Sequence, residues 1–205
     1  MKKEQRVNYI LLTFFTFFLF SGIIYSQNTI FTNQVPASTG NDSDYELGTK
    51  FSSDLLANVN AIRFYKAAGE TGTHTGKIWD NSGSLLASVT FTNETASGWQ
   101  SINLSSPLLI QPNTVYTVSV NSNVIYPITQ NELASQISNS FLHSVVGGNG
   151  VFNENPGSFP SQSYNNSNYY VDISAAALNT IFTTQLPTQG TFNDGPYEMG
   201  VKFTT

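Results

Sequence analysis

The chain has 205 residues, no cysteine and a formal net charge of −5. Without cysteine there is no disulfide framework and no thiolate metal site, so the fold must stand on its hydrophobic core, with a bound metal ion as the only other staple. Eight Lys and Arg against thirteen acids argue against nucleic acid or an anionic membrane as a partner, because neither would be neutralised.

Lys2, Lys3 and Arg6 precede the apolar run Leu11–Phe20, which is broken only by Thr13 and Thr16, and the small residues Gly22 and Ser26 lead to Gln27. Residues 1–26 are therefore expected to be a secretory signal peptide, which makes the protein secreted. The rival reading is a retained membrane anchor, since Val7–Tyr25 is about 19 residues and long enough to span. Cleavage would leave five basic and twelve acidic residues, a net charge near −7.

The N-terminal end of the mature chain returns at the C-terminal end. TIFTNQVP (Thr29–Pro36) and YELGTKFSS (Tyr45–Ser53) recur as TIFTTQLP (Thr180–Pro187) and YEMGVKFTT (Tyr197–Thr205). A separation of about 150 residues is a whole domain and not a solenoid unit. The expected organisation is a first copy over 27–175, a linker over 176–179 and the start of a second copy over 180–205. A fragment of a tandem array would give this pattern.

Between the copies, short runs alternate with a period of two. Ile62 and Phe64 oppose Arg63 and Tyr65. Leu85, Ala87, Val89 and Phe91 oppose Ser88, Thr90 and Thr92. Ile102 and Leu104 alternate with Ser101 and Asn103, and Tyr116, Val118 and Val120 alternate with Thr117 and Ser119. This pattern predicts strands buried on one face and wet on the other. Asp80-Asn81-Ser82-Gly83 predicts a hairpin turn between strands at Ile78-Trp79 and Leu85. Further breaks fall at Ser97-Gly98 and Gln111-Pro112-Asn113. Only Asn131–Asn139 has a composition suited to a short helix. The expected fold is an all-β antiparallel sandwich, jelly-roll-like, with a closed barrel as the alternative. Val146–Asn168, rich in Gly, Asn, Ser and Pro, is expected to be a long loop, either functional or pinned by its aromatics Phe152, Phe159 and Tyr164.

Four stretches carry a family resemblance: IRFYKAAGETGTHTGKIWD (Ile62–Asp80), LLASVTFTNETASGWQ (Leu85–Gln100), LHSVVGGNGVF (Leu142–Phe152) and FPSQSYNNSNYYVDI (Phe159–Ile173). Together they resemble a family of bacterial secreted modules, domain of unknown function 4082, over about Thr29–Ile173. The resemblance implies a β-sandwich module, often in tandem, within large exported proteins that also carry enzymes or adhesive domains. The family usually has Trp where this chain has Tyr170, and Ser122–Ser140 departs from its pattern.

Candidate sites fall into three groups. Asp42 and Glu46, near the first copy's opening strand, and Asp172, in its last, are candidate ligands for a structural calcium, which needs about 6 to 8 oxygens. Ordinary solvated acids are the alternative, and Asp44 is the dispensable neighbour because the second copy replaces Ser43-Asp44 with Gly195-Pro196. His74 and His143, without close metal-ligand spacing, suit a shared polar site or two structural roles better than zinc. Trp79, Trp99, Tyr164, Tyr169 and Tyr170 raise sugar stacking, with Asn149 and Asn168 as hydroxyl partners. The tryptophans could equally be core, and the asparagines could simply be turn formers. The expected ligand-binding set is His74, Trp99, His143, Asn149, Tyr164, Asn168 and Tyr170.

No catalytic pattern stands out. Nothing marks one carboxylate as a buried acid and another as a base or nucleophile, there is no G-x-S-x-G elbow, and Gly147–Gly150 lacks the Lys and helix of a phosphate loop. The function expected is that of a secreted, non-catalytic module binding glycans or cell-surface polymers, alongside other domains of its polypeptide. A structural spacer or adhesin repeat without a ligand is the alternative, and a glycoside hydrolase is the remote one.

Overall fold

The computed structural model describes residues 26–178. The expected signal peptide, apart from Ser26, and the second-copy segment 180–205 lie outside the described residues. Thirteen strands follow one another with no helix among the described residues: β1 (Ser38–Gly40), β2 (Tyr45–Ser53), β3 (Ala57–Lys66), β4 (Thr75–Asp80), β5 (Leu85–Thr90), β6 (Gly98–Ile110), β7 (Tyr116–Ser122), β8 (Tyr126–Ile128), β9 (Ser138–Asn139), β10 (Leu142–Ser144), β11 (Gly150–Asn153), β12 (Gln162–Ser163) and β13 (Val171–Ala177).

The larger sheet runs β12-β11-β2-β7-β4-β5, with β10 also pairing β2 and β9 pairing β10. The smaller runs β13-β3-β6, and β1 pairs β8 separately at one end. All pairings are antiparallel and the sheets do not close, so the fold is an open sandwich and not a barrel. Leu47, Phe51, Ile78, Val118 and Val120 of the larger sheet and Val59, Ile62, Phe64, Ile110 and Ile173 of the smaller are all buried in one core. Each such side chain contributes roughly 1.5–3 kcal/mol on burial, which is how a cysteine-free module holds together.

The hairpin at Asp80 forms as its residues predict. The Asp80 carboxylate accepts the Ser82 and Ser84 amides at 2.9 and 2.8 Å, and Gly83 takes the left-handed φ of 88°. β5 keeps its alternation, but as an edge strand it leaves Leu85 and Leu86 exposed.

Two expectations change. Asn131–Asn139 is not helical: the Asn131 and Leu133 amides donate to the Asn165 and Asn166 carbonyls, tying it to the later loop. The segment instead makes turns around Leu133, which is fully buried. The polar face of β7 is also not wet, since Thr117 and Ser119 are buried. Residues 153–160, within the expected long loop, cover that face. The Phe159 ring packs on Trp79 at 5.8 Å, and the Gly157 amide donates to Glu46 at 2.7 Å.

Candidate functional site

Outward-facing residues of the central strands build a buried polar cluster under this strap. Register sets Glu46 of β2, Ser119 of β7 and Lys77 of β4 on one face. Glu46 accepts the Ser119 hydroxyl at 2.5 Å and the Lys77 ammonium at 3.2 Å, and Trp79 Nε1 donates to Ser119 at 2.8 Å. Trp79 is thus core, locked by its one donor.

A second buried cluster joins the β3–β4 and β7–β8 loops. His74, fully buried, points one ring nitrogen at Glu70 (3.0 Å) and the other at Glu94 (2.9 Å). Ionised carboxylates only accept, so this geometry favours a ring protonated on both nitrogens, an imidazolium. Burial alone would lower its pKa, but the hydrogen bonds and charges of Glu70 and Glu94 outweigh it and raise the value above 6.5. Burial pushes Glu70 upward; His74 and the Ile125, Asn123 and Val124 amides outweigh this and hold it below 4.5. Lys66 pairs with Glu94 at 2.8 Å and completes the charge balance.

The open site lies at the β1–β8 end. A cleft of about 480 Å³ runs between β1 and β8 on one side and β2, β11 and the 154–169 segment on the other. Tyr45, Tyr126, Phe152, Tyr164 and Tyr169 give it aromatic walls; Asn41, Asp42, Gln130 and Glu154 give it polar groups. The rings brace one another edge to face: Tyr45 on Tyr126 at 5.5 Å, Tyr45 on Phe152 at 5.8 Å and Tyr126 on Tyr169 at 6.3 Å. Tyr126 donates to Asp42 at 2.6 Å and Tyr45 does so at 3.3 Å. The Tyr126 hydrogen bond, the largest influence on Asp42, holds that carboxyl below its ordinary 3.8. Burial raises Tyr126 far above 10 and pushes Tyr169 up to about 12, so both hydroxyls stay protonated.

This chain belongs to the family described as Domain of unknown function (DUF4082), whose model matches residues 32–171. That match spans the cleft, both buried clusters and nearly all of the sandwich. No curated protein matches the chain. The resemblance carried by the four sequence stretches is thereby upheld, and the family lends the site no activity.

Of the expected ligand-binding residues, Tyr164 alone lines the cleft, with half its surface exposed. Trp99 stands on the smaller sheet, one face covered by the Arg63 guanidinium 4.0 Å from its ring centre. Tyr170 is fully buried at a left-handed φ of 58°, its hydroxyl engaging the Val35 carbonyl, Glu132 and Thr129. Asn149 and Asn168 are buried staples: Asn149 donates to the Leu133 carbonyl, and Asn168 donates to Glu132 while accepting from the Tyr170 amide. His143 bonds Ser138 and Asp54, away from His74 and its glutamates.

The three expected calcium ligands are not brought together, and among the described residues no three acid or histidine side chains converge as a metal site. Glu46 and Asp172 belong to opposite sheets. Asp172 accepts the Ile30, Phe31 and Ile173 amides and faces Arg63 at 3.5 Å, tying the N-terminal segment to β13. Burial, opposed by Arg63 and those amides, raises its pKa to about 6. Asp42 lies in the cleft instead. The sequence reading missed Tyr45, Tyr126, Phe152 and Glu154. Tyr45 had a signal, since it opens the recurring YELG motif; Tyr126 lies in the stretch that departs from the family pattern.

Proposed function

We propose that the module is a non-catalytic, exported carbohydrate-binding domain whose ligand lies in the β1–β8 cleft. The observation that carries this reading is the exposed Tyr164 ring facing a braced tyrosine wall beside fixed acceptors and amides. Aromatic faces stack on the apolar face of a pyranose, and carboxylates and amides fix its hydroxyls. Asp42, oriented by two phenol donors and kept ionised, is built to accept from hydroxyls and not to deliver a proton. Affinity electrophoresis through a panel of polysaccharides tests the reading. Retardation that disappears in Tyr164→Ala, with the melting temperature unchanged, supports it. Free migration through every gel of the panel favours the spacer or adhesin alternative.

A further inference from the structure

Four acids of the sandwich each meet a cation. Glu46 meets Lys77, Glu94 meets Lys66, Glu70 meets His74 and Asp172 meets Arg63. The cleft is different: Asp42 and Glu154 line it, and no Lys, Arg or His does. Among the described residues neither of these acids forms an ion pair. Both are exposed at the cleft, Asp42 aligned by Tyr126 and Tyr45, and Glu154 close enough that its charge acts on the Tyr45 hydroxyl.

The walls between these acids are tyrosine. Aromatic faces attract cations through the ring quadrupole, and the effect adds to the carboxylate field. A neutral pyranose uses only the stacking and hydrogen-bonding part of such a site. A uronic acid polymer is repelled by it. A sugar bearing an ammonium group uses all of it.

We propose that the cleft selects a cationic glycan, a polymer of amino sugars whose amines are free and not acylated. This rests on the carbohydrate-binding reading above and names its ligand class. Asp42 and Glu154 supply the charge match, and Tyr45 and Tyr164 supply the ring faces.

Calorimetric titration of the intact module tests it, using a β-1,4-linked glucosamine oligomer and its fully N-acetylated counterpart of equal length, at a pH where the free amines are charged. The expected result is about tenfold tighter binding of the free-amine oligomer, in the range of one cation–π contact with carboxylate support. Its affinity falls as salt is added, because exposed charges are screened. Glu154→Gln weakens binding of the free-amine oligomer by about threefold more than binding of the acetylated one. Asp42→Asn, which keeps an oxygen for Tyr126 to donate to, acts in the same direction. Equal, salt-insensitive affinity for both oligomers, unmoved by either substitution, overturns the charge selection and leaves the carbohydrate reading standing. Binding of neither oligomer by the folded module overturns both. A lysine oligomer bound as tightly as the amino sugar overturns the sugar class.

Discussion

Tyr126 of β8 sits directly opposite Gly40 of β1 in the antiparallel register, and its ring occupies the space a side chain there would take. A Cβ on Gly40 would lie 2.2 Å from the Tyr126 ring carbon that bears the hydroxyl. The missing side chain at position 40 therefore lets the phenol pass over the β1 backbone and reach Asp42 in the following turn.

Gly40→Ala is accordingly expected to push Tyr126 off its contacts with Tyr45 and Tyr169. The cost is about 1–3 kcal/mol, the range for forcing extra atoms into a filled site. Denaturant unfolding measures the loss, and affinity electrophoresis should show reduced retardation at a temperature where the variant remains folded. Unchanged stability would mean that the ring has an alternative seat.

Tyr126→Phe isolates the hydrogen bond from the packing. With its main cause of depression removed, the Asp42 pKa should rise toward its ordinary 3.8. Carboxyl NMR titration reads this directly. An unshifted Asp42 would show that the phenol does not donate to it in solution.

The His74 cluster gives the module a pH window. An imidazolium whose folded pKa exceeds 6.5 stabilises fully below 6.5 and loses that contribution as pH rises through the raised value. Glu70, held below 4.5, stabilises above 4.5 and loses its contribution as pH falls through the lowered value. Asp172, raised from 3.8 to about 6, loses stability in the same direction as pH rises just below this window, so the His74 variant is what separates the two contributions. The melting temperature should therefore fall as pH is raised above 6.5, and His74→Asn should flatten that limb. His74→Ala should cost about 3–5 kcal/mol, the loss on removing one partner of a buried ion pair. A wild-type profile flat from neutral to alkaline pH would count against the doubly protonated ring.

Glu46 fastens the strap of residues 153–160 to the larger sheet. Glu46→Ala strands the Lys77 ammonium, the Ser119 hydroxyl and the Gly157 amide, with an expected loss of about 3–5 kcal/mol. Limited proteolysis should then cut near Asn155–Ser158 sooner than in the parent, since local opening governs cleavage. Equal cutting rates would place the strap's anchorage in the Phe159–Trp79 contact instead.

Chelator treatment is expected to leave the melting temperature unchanged. The carboxylates of Glu46 and Asp172 already accept protein donors, and Asp42 is engaged by two phenols. A fall in melting temperature that calcium reverses would reinstate the metal.

Local chemistry was legible where neighbours in sequence are also neighbours in space. Alternation along Ile62–Tyr65 fixed which side of β3 meets the core, and Asp80–Gly83 fixed a turn, because both depend on residues within a few positions of one another. Two identical readings of alternation gave different outcomes at β5 and β7. One is an edge strand and the other is central, and strand order is set by pairings between distant segments.

By itself, then, the sequence determined an all-β, cysteine-free fold with its hairpins and inward faces, since backbone period and turn chemistry are local, while the open sandwich rather than a barrel came from the sheet pairings. The sequence also placed Tyr164 in the expected ligand-binding set. Only tertiary structure decided which aromatics are free to meet a ligand and which acids keep an unmatched charge. Trp79 disappeared beneath a strap some 80 residues downstream, while Tyr45, Tyr126 and Tyr169, from three separate segments, converged on one cleft. Exposure and charge pairing depend on the three-dimensional neighbours of each group, and no spacing along the chain encodes those.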